Sequence, residues 1–382
     1  MTVPLIDNLI IGGGLAGSLV AIRLAAAGQP VTLLEKEHHA HHKVCGEFLS
    51  PEAVAYLRQV AVDPLALGAV EIRNLHFSSQ QRIAQAALPF SALSLSRRAL
   101  DEALLARAAE SGCTIRRGIS VENLNPEGDL HAIRLSNGES LLARTVFLAT
   151  GKHDLRGFAR SSTRQSDLIG FKLHLQLAPA QTRLLRGVIE LFLFPGGYGG
   201  ISLVENDVAN LCLVVRRTRI RAFGGWSEFL ASILHRNASI RERLQGANTL
   251  WQRPLAVSPI PYGYLADRPA GLWCVGDQAA VIPSFTGDGM AIALHSAALA
   301  AQMHLAGESS AAYLRKLRSQ LGSGMSLATA LSRFLVTAPG RGLAPLALAL
   351  VPSAMRWIAA STRVPTRALV PIAPLANSSP AR

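Results

Sequence analysis

The stretch Leu5-Ile6-Asp7-Asn8-Leu9-Ile10-Ile11-Gly12-Gly13-Gly14-Leu15-Ala16-Gly17 decides the fold. Seven mostly apolar residues read as a short buried strand, and they run straight into a G-x-G-x-x-G. An alanine-rich helix follows to Ala27, Gly28 stops it, and Val31-Thr32-Leu33-Leu34-Glu35 reads as a second strand ending in an acid. Gly12 permits the tight turn, Gly14 lets the main chain approach a pyrophosphate, and Gly17 lets helix and strand pack closely. The helix start at Leu15 and Ala16 offers unpaired N–H groups and a positive dipole end to phosphates. Glu35, 18 residues after Gly17 and followed by Lys36, is placed to accept hydrogen bonds from an adenosine ribose. The glycines alone are a weak signal. Strand, glycines, helix, strand and terminal acid in that order read as a dinucleotide site.

A second segment says which dinucleotide. Trp273-Cys274-Val275-Gly276-Asp277 reads as a strand ending in Gly-Asp, at the sheet edge where doubly wound folds hold ligands. Asp277 is placed there to bind hydroxyls of a ribityl chain. Pro283-Ser284-Phe285-Thr286-Gly287-Asp288-Gly289-Met290 then opens an alanine-rich helix running to about Leu305. Gly287, Asp288, Gly289 and Met290 at a helix N-terminus suit the pyrimidine edge of a flavin, which gains negative charge on reduction. Taken alone, the segment also reads as a helix cap with Asp288 in the first turn. A nicotinamide dinucleotide has no ribityl chain and leaves it unexplained, so the two segments together specify FAD.

These motifs, in this order, resemble the flavoproteins with the para-hydroxybenzoate hydroxylase fold, and among them the geranylgeranyl reductases. The resemblance covers about residues 1–305. It implies that Arg97, in Ser96-Arg97-Arg98-Ala99-Leu100-Asp101, reaches toward FAD from the head of a helix. It implies that Thr150 and Gly151, in Phe147-Leu148-Ala149-Thr150-Gly151, pass the adenosine side. Lys43-Val44-Cys45-Gly46-Glu47 resembles the reductases' Cys-Gly loop near the isoalloxazine. The Gly276-Asp277 and Thr286–Met290 segments, with Ala293-Leu294, are more similar to the reductases than to the hydroxylases, which usually carry a His and an Asn there. One departure stands out. Where the reductases often carry Tyr-x-Trp-x-Phe-Pro along a lipid pocket, this chain has Tyr198-Gly199-Gly200-Ile201-Ser202-Leu203, which keeps only the tyrosine.

The expected fold class is α/β: a Rossmann-like, doubly wound FAD-binding domain, a second mixed or antiparallel β-sheet as substrate domain, and C-terminal helices. Strand and helix alternate to about residue 110, which predicts a parallel sheet. Thr114–Arg117, Ile119–Leu124, His131–Leu135 and Leu141–Ala149 read as strands, with turns at Asn125-Pro126-Glu127-Gly128 and Asn137-Gly138. Asp167–Leu177, Val188–Phe194, Gly200–Val204 and Val208–Val215 read as strands of the second sheet. Trp226–Leu244 reads as helical, and the Pro-rich stretch Trp251–Tyr264 as irregular. The expected division is 1–75, 92–165 and 265–308 for the FAD-binding domain, 76–91 and 166–264 for the substrate domain, and 309–382 for a basic, apolar helical region ending in a loose tail over 361–382.

Among the 382 residues, 49% are hydrophobic, with a mean hydropathy of +0.26. No run of 18 or more apolar residues occurs, which argues against a spanning helix, and the glycines and Asp7 argue against a signal peptide. Cys45, Cys113, Cys212 and Cys274 lie far apart with no metal-ligand spacing, which fits a reducing cytoplasm. The net charge is +13, and from Ser309 onward there is no Asp or Glu beside nine basic residues. Such a tail suits an anionic membrane surface on its inner face or an acidic carrier protein, whereas an Ala/Leu-rich segment suits nucleic acid poorly. Arginines that merely face water would look the same.

Cys45 is the expected catalytic residue, for proton delivery or pocket shape. Lys43 and Glu47 flank it and read as loop charges. Tyr198 reads as a substrate-pocket residue in a Gly-rich turn. His38-His39-Ala40-His41-His42 lacks the mixed ligands and spacing of a shaped metal site, so no metal is expected. The favoured function is reduction of a carbon–carbon double bond in a small lipophilic substrate. A flavin hydroxylase of an aromatic or polyketide-like substrate uses the same fold and is the alternative. A halogenase fits poorly, because no two tryptophans stand two apart, and a flavin-binding carrier fits poorly beside a full pocket domain. No second G-x-G-x-x-G is present, so NAD(P)H would serve only as a transient electron donor.

Overall fold

The computed structural model describes residues 3–350 and 358–371, apart from 162, 164 and 268–270. Leu5–Ile11 is the strand its pattern predicts, and Asn8 to Ile11 are buried. It pairs in parallel with Val31–Glu35 on one side and Ser140–Leu148 on the other. Thr114–Arg117 extends the parallel sheet beyond Val31–Glu35, and Trp273–Cys274 joins it further along Ser140–Leu148. Leu130–Leu135 and Val121–Glu127 complete the sheet as an antiparallel meander. Side chains alternate across this sheet. Ile10 enters the cluster that holds helices Leu15–Ala26, Arg97–Glu110 and Gly289–Leu305, while Leu9 and Ile11 enter the cluster beneath the meander. Both helices that follow the two nucleotide motifs are alanine-rich, and they pack on each other over that face.

The second sheet has nine strands. Gln165–Gln176, Ala209–Arg216, Gly197–Leu203 and Gly187–Phe194 run antiparallel in that order, and Gly187–Phe194 then pairs in parallel with Val70–Ser79. Val70–Ser79 makes a hairpin with Arg82–Ser94. This departs from the alternation expected to residue 110: residues 70–75 and 92–94, assigned above to the first unit, are paired within the second sheet. A strand that bonds along its whole length to one sheet cannot be divided at residue 75. Trp226–Leu244 is two helices, Trp226–Arg236 and Ala238–Arg243. Asn237 breaks them, because its carboxamide accepts the N–H of Ile240 as a cap and donates to Ser78 Oγ. The stretch expected to be irregular contains the strand Leu255–Tyr262, which bonds Gln165–Gln176 with register shifts. Its prolines are tolerated because it is an edge strand.

Two long helices follow, Ser310–Leu335 and Ala338–Leu350. The chain beyond Ser361 is not the loose tail expected, as far as residue 371. Val364 and Val370 are buried in the main core, and the N–H of Val370 donates to the Tyr56 hydroxyl. Arg356, Arg382 and residues 372–382 lie outside the described residues.

Candidate active site

The glycine turn behaves as its sequence predicts. Gly12 has φ +110°, and a Cβ there would lie 2.5 Å from the carbonyl oxygen of Ala149. A Cβ on Gly17 would fall 1.9 Å from the carbonyl oxygen of Gly12, so helix and turn touch at this point. Gly14 is different. A Cβ there meets only the tips of Arg97 and Lys43, at 3.4 and 3.6 Å, so two cations and the first turn of Leu15–Ala26 face one open glycine. That is the donor set a pyrophosphate needs. The Leu15 and Ala16 side chains are buried, so these residues have only main-chain N–H groups to offer. Glu35 is buried at the strand end; its carboxylate accepts from Gly13 N at 2.8 Å and from Glu37 N at 3.0 Å. A groove beside Gly13 and Glu35 is lined by His39, His41, Lys43 and Arg98. Lys36 instead turns to the surface and pairs with Glu37.

Arg97 leaves the head of its helix toward Gly14 and is held by a two-point bond to Asp101, at 2.8 and 3.0 Å. Lys43 reaches the same carboxylate at 2.9 Å. Burial works against the charge on Arg97, but Asp101 outweighs it and raises the guanidinium above its ordinary pKa. Asp277 lies 3.5 Å from Lys152 Nζ, with its side chain about a quarter exposed. Gln278, one residue on, donates to the carbonyls of Gly151 and His153, and Arg160 donates to those of Asp277 and Lys152. These bonds lock the Gly276-Asp277 turn to the Thr150-Gly151 turn. Gly276, at φ +62°, donates its N–H to Ser296 Oγ. The Thr150 hydroxyl bonds only locally, to the carbonyl of His153.

Two expected site residues require correction. Asp288 does not turn its carboxylate toward the open side of its loop. It is 1% exposed and faces the C-terminal segment, with Arg363 Nε at 3.7 Å and Thr362 Oγ1 at 3.4 Å. Burial pushes its carboxyl up to about 7, with Arg363 opposing the rise. The cause is local: Gly287 at φ +76° swings the chain so that Gly289 stays open and Asp288 turns inward. Met290 likewise packs in the core, so only the main chain of this segment is free to meet a ligand. Tyr198 is not in a turn but in the strand Gly197–Leu203, buried; its hydroxyl donates to Tyr262 at 3.0 Å and meets Ser284 Oγ at 2.9 Å. Tyr262 and Ser284 were not legible as site residues. Their hydroxyls lie 2.7 Å apart, and Ser284 begins the turn that leads to Thr286-Gly287.

The largest surprise is Glu47, expected as a loop charge. It is fully buried at φ +59° and organises three elements. One oxygen accepts from the Arg97 main-chain N–H at 2.7 Å and from Lys172 Nζ, and the other meets His174 Nε2 at 3.1 Å. Its own N–H donates to Cys45 Sγ at 3.4 Å, and Asn210 donates to the Cys45 carbonyl at 3.1 Å. Burial alone would raise the Glu47 carboxyl; the His174 hydrogen bond and the Lys172 ammonium overcome it and hold it below the ordinary carboxylate range. His42 packs edge-on to His174, and Trp251 stacks on His174. Burial, with Lys172 and His174 adding to it, drops His42 to about 4. Donor atoms of His42, Glu47 and His174 lie within 4.8 Å of one another, but Lys172 already supplies the positive charge that Glu47 needs. The sequence held one overlooked signal. Lys172 and His174 stand two apart in the apolar strand Gln165–Gln176, hence on one face of it, and both are buried.

Comparison with known proteins agrees with this cradle. A family model described as FAD binding domain matches residues 6–146. The chain is similar to a menaquinone reductase of Mycolicibacterium smegmatis, 23% identical over 365 residues, covering 87% of this chain and 85% of the relative. It is similar to a menaquinone reductase of Mycobacterium tuberculosis, 24% identical over 345 residues, covering 86% and 84%. Among solved structures, the myxobacterial chondrochloren halogenase CndH superimposes with a TM-score of 0.75 at 20% identity, covering 96% of this chain and 95% of that one. Both the family match and the cations around Gly14 fit FAD. The chain is an FAD-dependent oxidoreductase.

Proposed function

We propose that the chain is a geranylgeranyl reductase-like enzyme that reduces a carbon–carbon double bond in a prenylated, quinone-type lipid. The carrying observation is the setting of Cys45. Its loop is held at two points: the Glu47 N–H donates to the Cys45 thiol, and Asn210 donates to the Cys45 carbonyl. When bound and reduced, FAD would supply the hydride that one carbon of the double bond takes up. The other carbon needs a proton, and Cys45 Sγ holds one in that neighbourhood.

The Tyr198, Tyr262 and Ser284 hydroxyls form the polar end of a wall that is otherwise apolar. Leu168, Leu193, Ile260, Val281 and Val336 pack with Tyr198 and Tyr262, and Ser284 stands exposed at the end of the three hydroxyls. Such a wall excludes water and holds a lipid tail, with hydroxyls to orient a carbonyl at its head. The two menaquinone reductases among the similar proteins support this substrate class, and four free cysteines fit a cytoplasmic setting. The electron donor is a separate reductant, NAD(P)H or a protein, that visits transiently. The test is an anaerobic single turnover of the reduced enzyme with a polyprenyl quinone. The expected product carries two more hydrogens, and Cys45→Ser slows its formation at least about tenfold with flavin retained. Oxygen consumption coupled to substrate, with an oxygen atom added to the product, would overturn the reductase reading in favour of a hydroxylase.

A further inference from the structure

The helix Ala338–Leu350 is apolar on two sides. Its inner side is packed: Ala344 and Leu348 lie against the cluster of Phe77, Leu168, Ile260 and Val336 on the second sheet. Its outer side is not. Leu343, Leu346 and Leu350, spaced to lie on one helical face, are 54, 45 and 71% exposed. Ile83, at the tip of the neighbouring hairpin, is 54% exposed, and Arg82 beside it donates to the carbonyl of Gly342. A helix apolar all round belongs in a core or against another apolar phase, and contiguous exposed leucines mark a contact surface.

The acid-free segment and its surroundings carry several cations. Arg82 and Arg333 are exposed, and Arg219 and Arg236 lie near enough to Arg341 to depress its pKa, although burial is the larger cause. Among the described residues, no carboxylate lies within ion-pair distance of any of these five arginines, although Arg58, Arg107, Arg116, Arg117 and Arg144 elsewhere on the molecule all have one. Not every cation of the acid-free region contributes. Arg363 turns inward to Glu52 and Asp288, and Arg318 caps the carbonyls of Leu265 and Ala266. A second copy of the chain would bring the same positive field against itself, which argues against self-association through this face.

We propose that this face, Leu343, Leu346 and Leu350 with Ile83, and with Arg82 beside it and exposed Arg333 shortly before the helix, docks on an anionic bilayer. The leucines enter the headgroup boundary and the arginines meet lipid phosphates. The inference stands on the surface itself and does not need the reductase reading; it places the apolar wall around Tyr198 directly behind the docked helix.

The test uses the flavin-loaded full chain and sedimentation with vesicles of phosphatidylcholine alone or with about a third phosphatidylglycerol. The expected result is pelleting with the anionic vesicles only, weakening as salt rises. Leu346→Glu with Leu350→Glu should abolish it. Arg82→Gln and Arg333→Gln should each weaken it about fivefold. Retained flavin absorbance in every variant shows that the fold is intact. Equal pelleting with neutral vesicles, no pelleting, or indifference to the leucine substitutions would overturn the proposal. Capture by polyglutamate without vesicle binding would overturn it in favour of an acidic protein, and concentration-dependent dimerisation lost with the leucines would do so in favour of a second copy.

Discussion

Replacing Glu47 by Gln tests whether the buried cluster is what ties the Cys45 loop to the second sheet. Glu47 and Lys172 are both fully buried, and Lys172 has its ion pair with Glu47 alone among the described residues. Removing the negative charge strands a buried ammonium, which costs about 3–5 kcal/mol. At about 2.1 cal/mol/K of unfolding entropy per residue, a chain of this length loses about 4–6 °C of Tm. Lys172→Met alone should cost a similar amount, because it strands the carboxylate. The double variant leaves no uncompensated charge, so it should lose clearly less than the two singles together. The assay is thermal unfolding of the flavin-loaded protein at pH 7, with the three variants in one cycle. Because the folded carboxyl is held below its ordinary value near 4.5, the stabilisation is complete above that pH and is lost as pH falls through the folded value. The parent and Glu47→Gln should therefore converge in acid. Additivity of the two singles to within about 0.5 kcal/mol would refute the pairing.

Two further outcomes follow from the geometry. Gly14→Ala should leave apoprotein stability within about 0.5 kcal/mol, because its Cβ meets only flexible side-chain tips, yet it should weaken FAD at least about tenfold in a fluorescence titration; Gly17→Ala, which collides with main chain, should lose stability and FAD together. Asp288→Asn should flatten stability between pH 4 and 7: the folded carboxyl is raised from 3.8 to about 7, so its favourable contribution is present below about pH 4 and is lost as pH rises through 7. Above pH 7 the variant should be the more stable by up to about 4 kcal/mol, at about 1.4 kcal/mol per unit, in urea unfolding.

The nucleotide half of the fold was legible because its constraints are local. A strand, three glycines, a helix and an acid lie within residues 5–35, and each is required by a contact with a neighbour in the chain or with one ligand. The second sheet was legible strand by strand but not in its membership. Whether Val70–Ser79 joins the first sheet or the second depends on a parallel pairing with Gly187–Phe194, more than a hundred residues away, and no local pattern carries that. The buried cluster failed for the same reason in sharper form. Glu47, Lys172 and His174 each look like an ordinary polar residue, and only the fold brings the first to the other two across 125 residues. Lys152 and Gln278 follow two recognised motifs by one residue and were still passed over, because motif logic assigns roles to the motif and not to what holds its ends in place.

The two aspartates of the second nucleotide segment show where motif logic and burial part. Sequence gives Asp277 and Asp288 the same standing, as acids in glycine turns before a helix. The fold leaves the first partly open beside Lys152 and buries the second against Arg363. Burial raises the Asp288 carboxyl to about 7, and Arg363, from the segment that sequence reads as a loose tail, opposes that rise. Arg363 also pairs with Glu52 at 3.1 Å, and Val364 and Val370 fill the core beside helix Gly289–Leu305. The C-terminal segment therefore packs behind the Gly287–Gly289 turn. The acid-free region thus divides: Arg363 faces inward to Glu52 and Asp288, while Arg333 stays exposed.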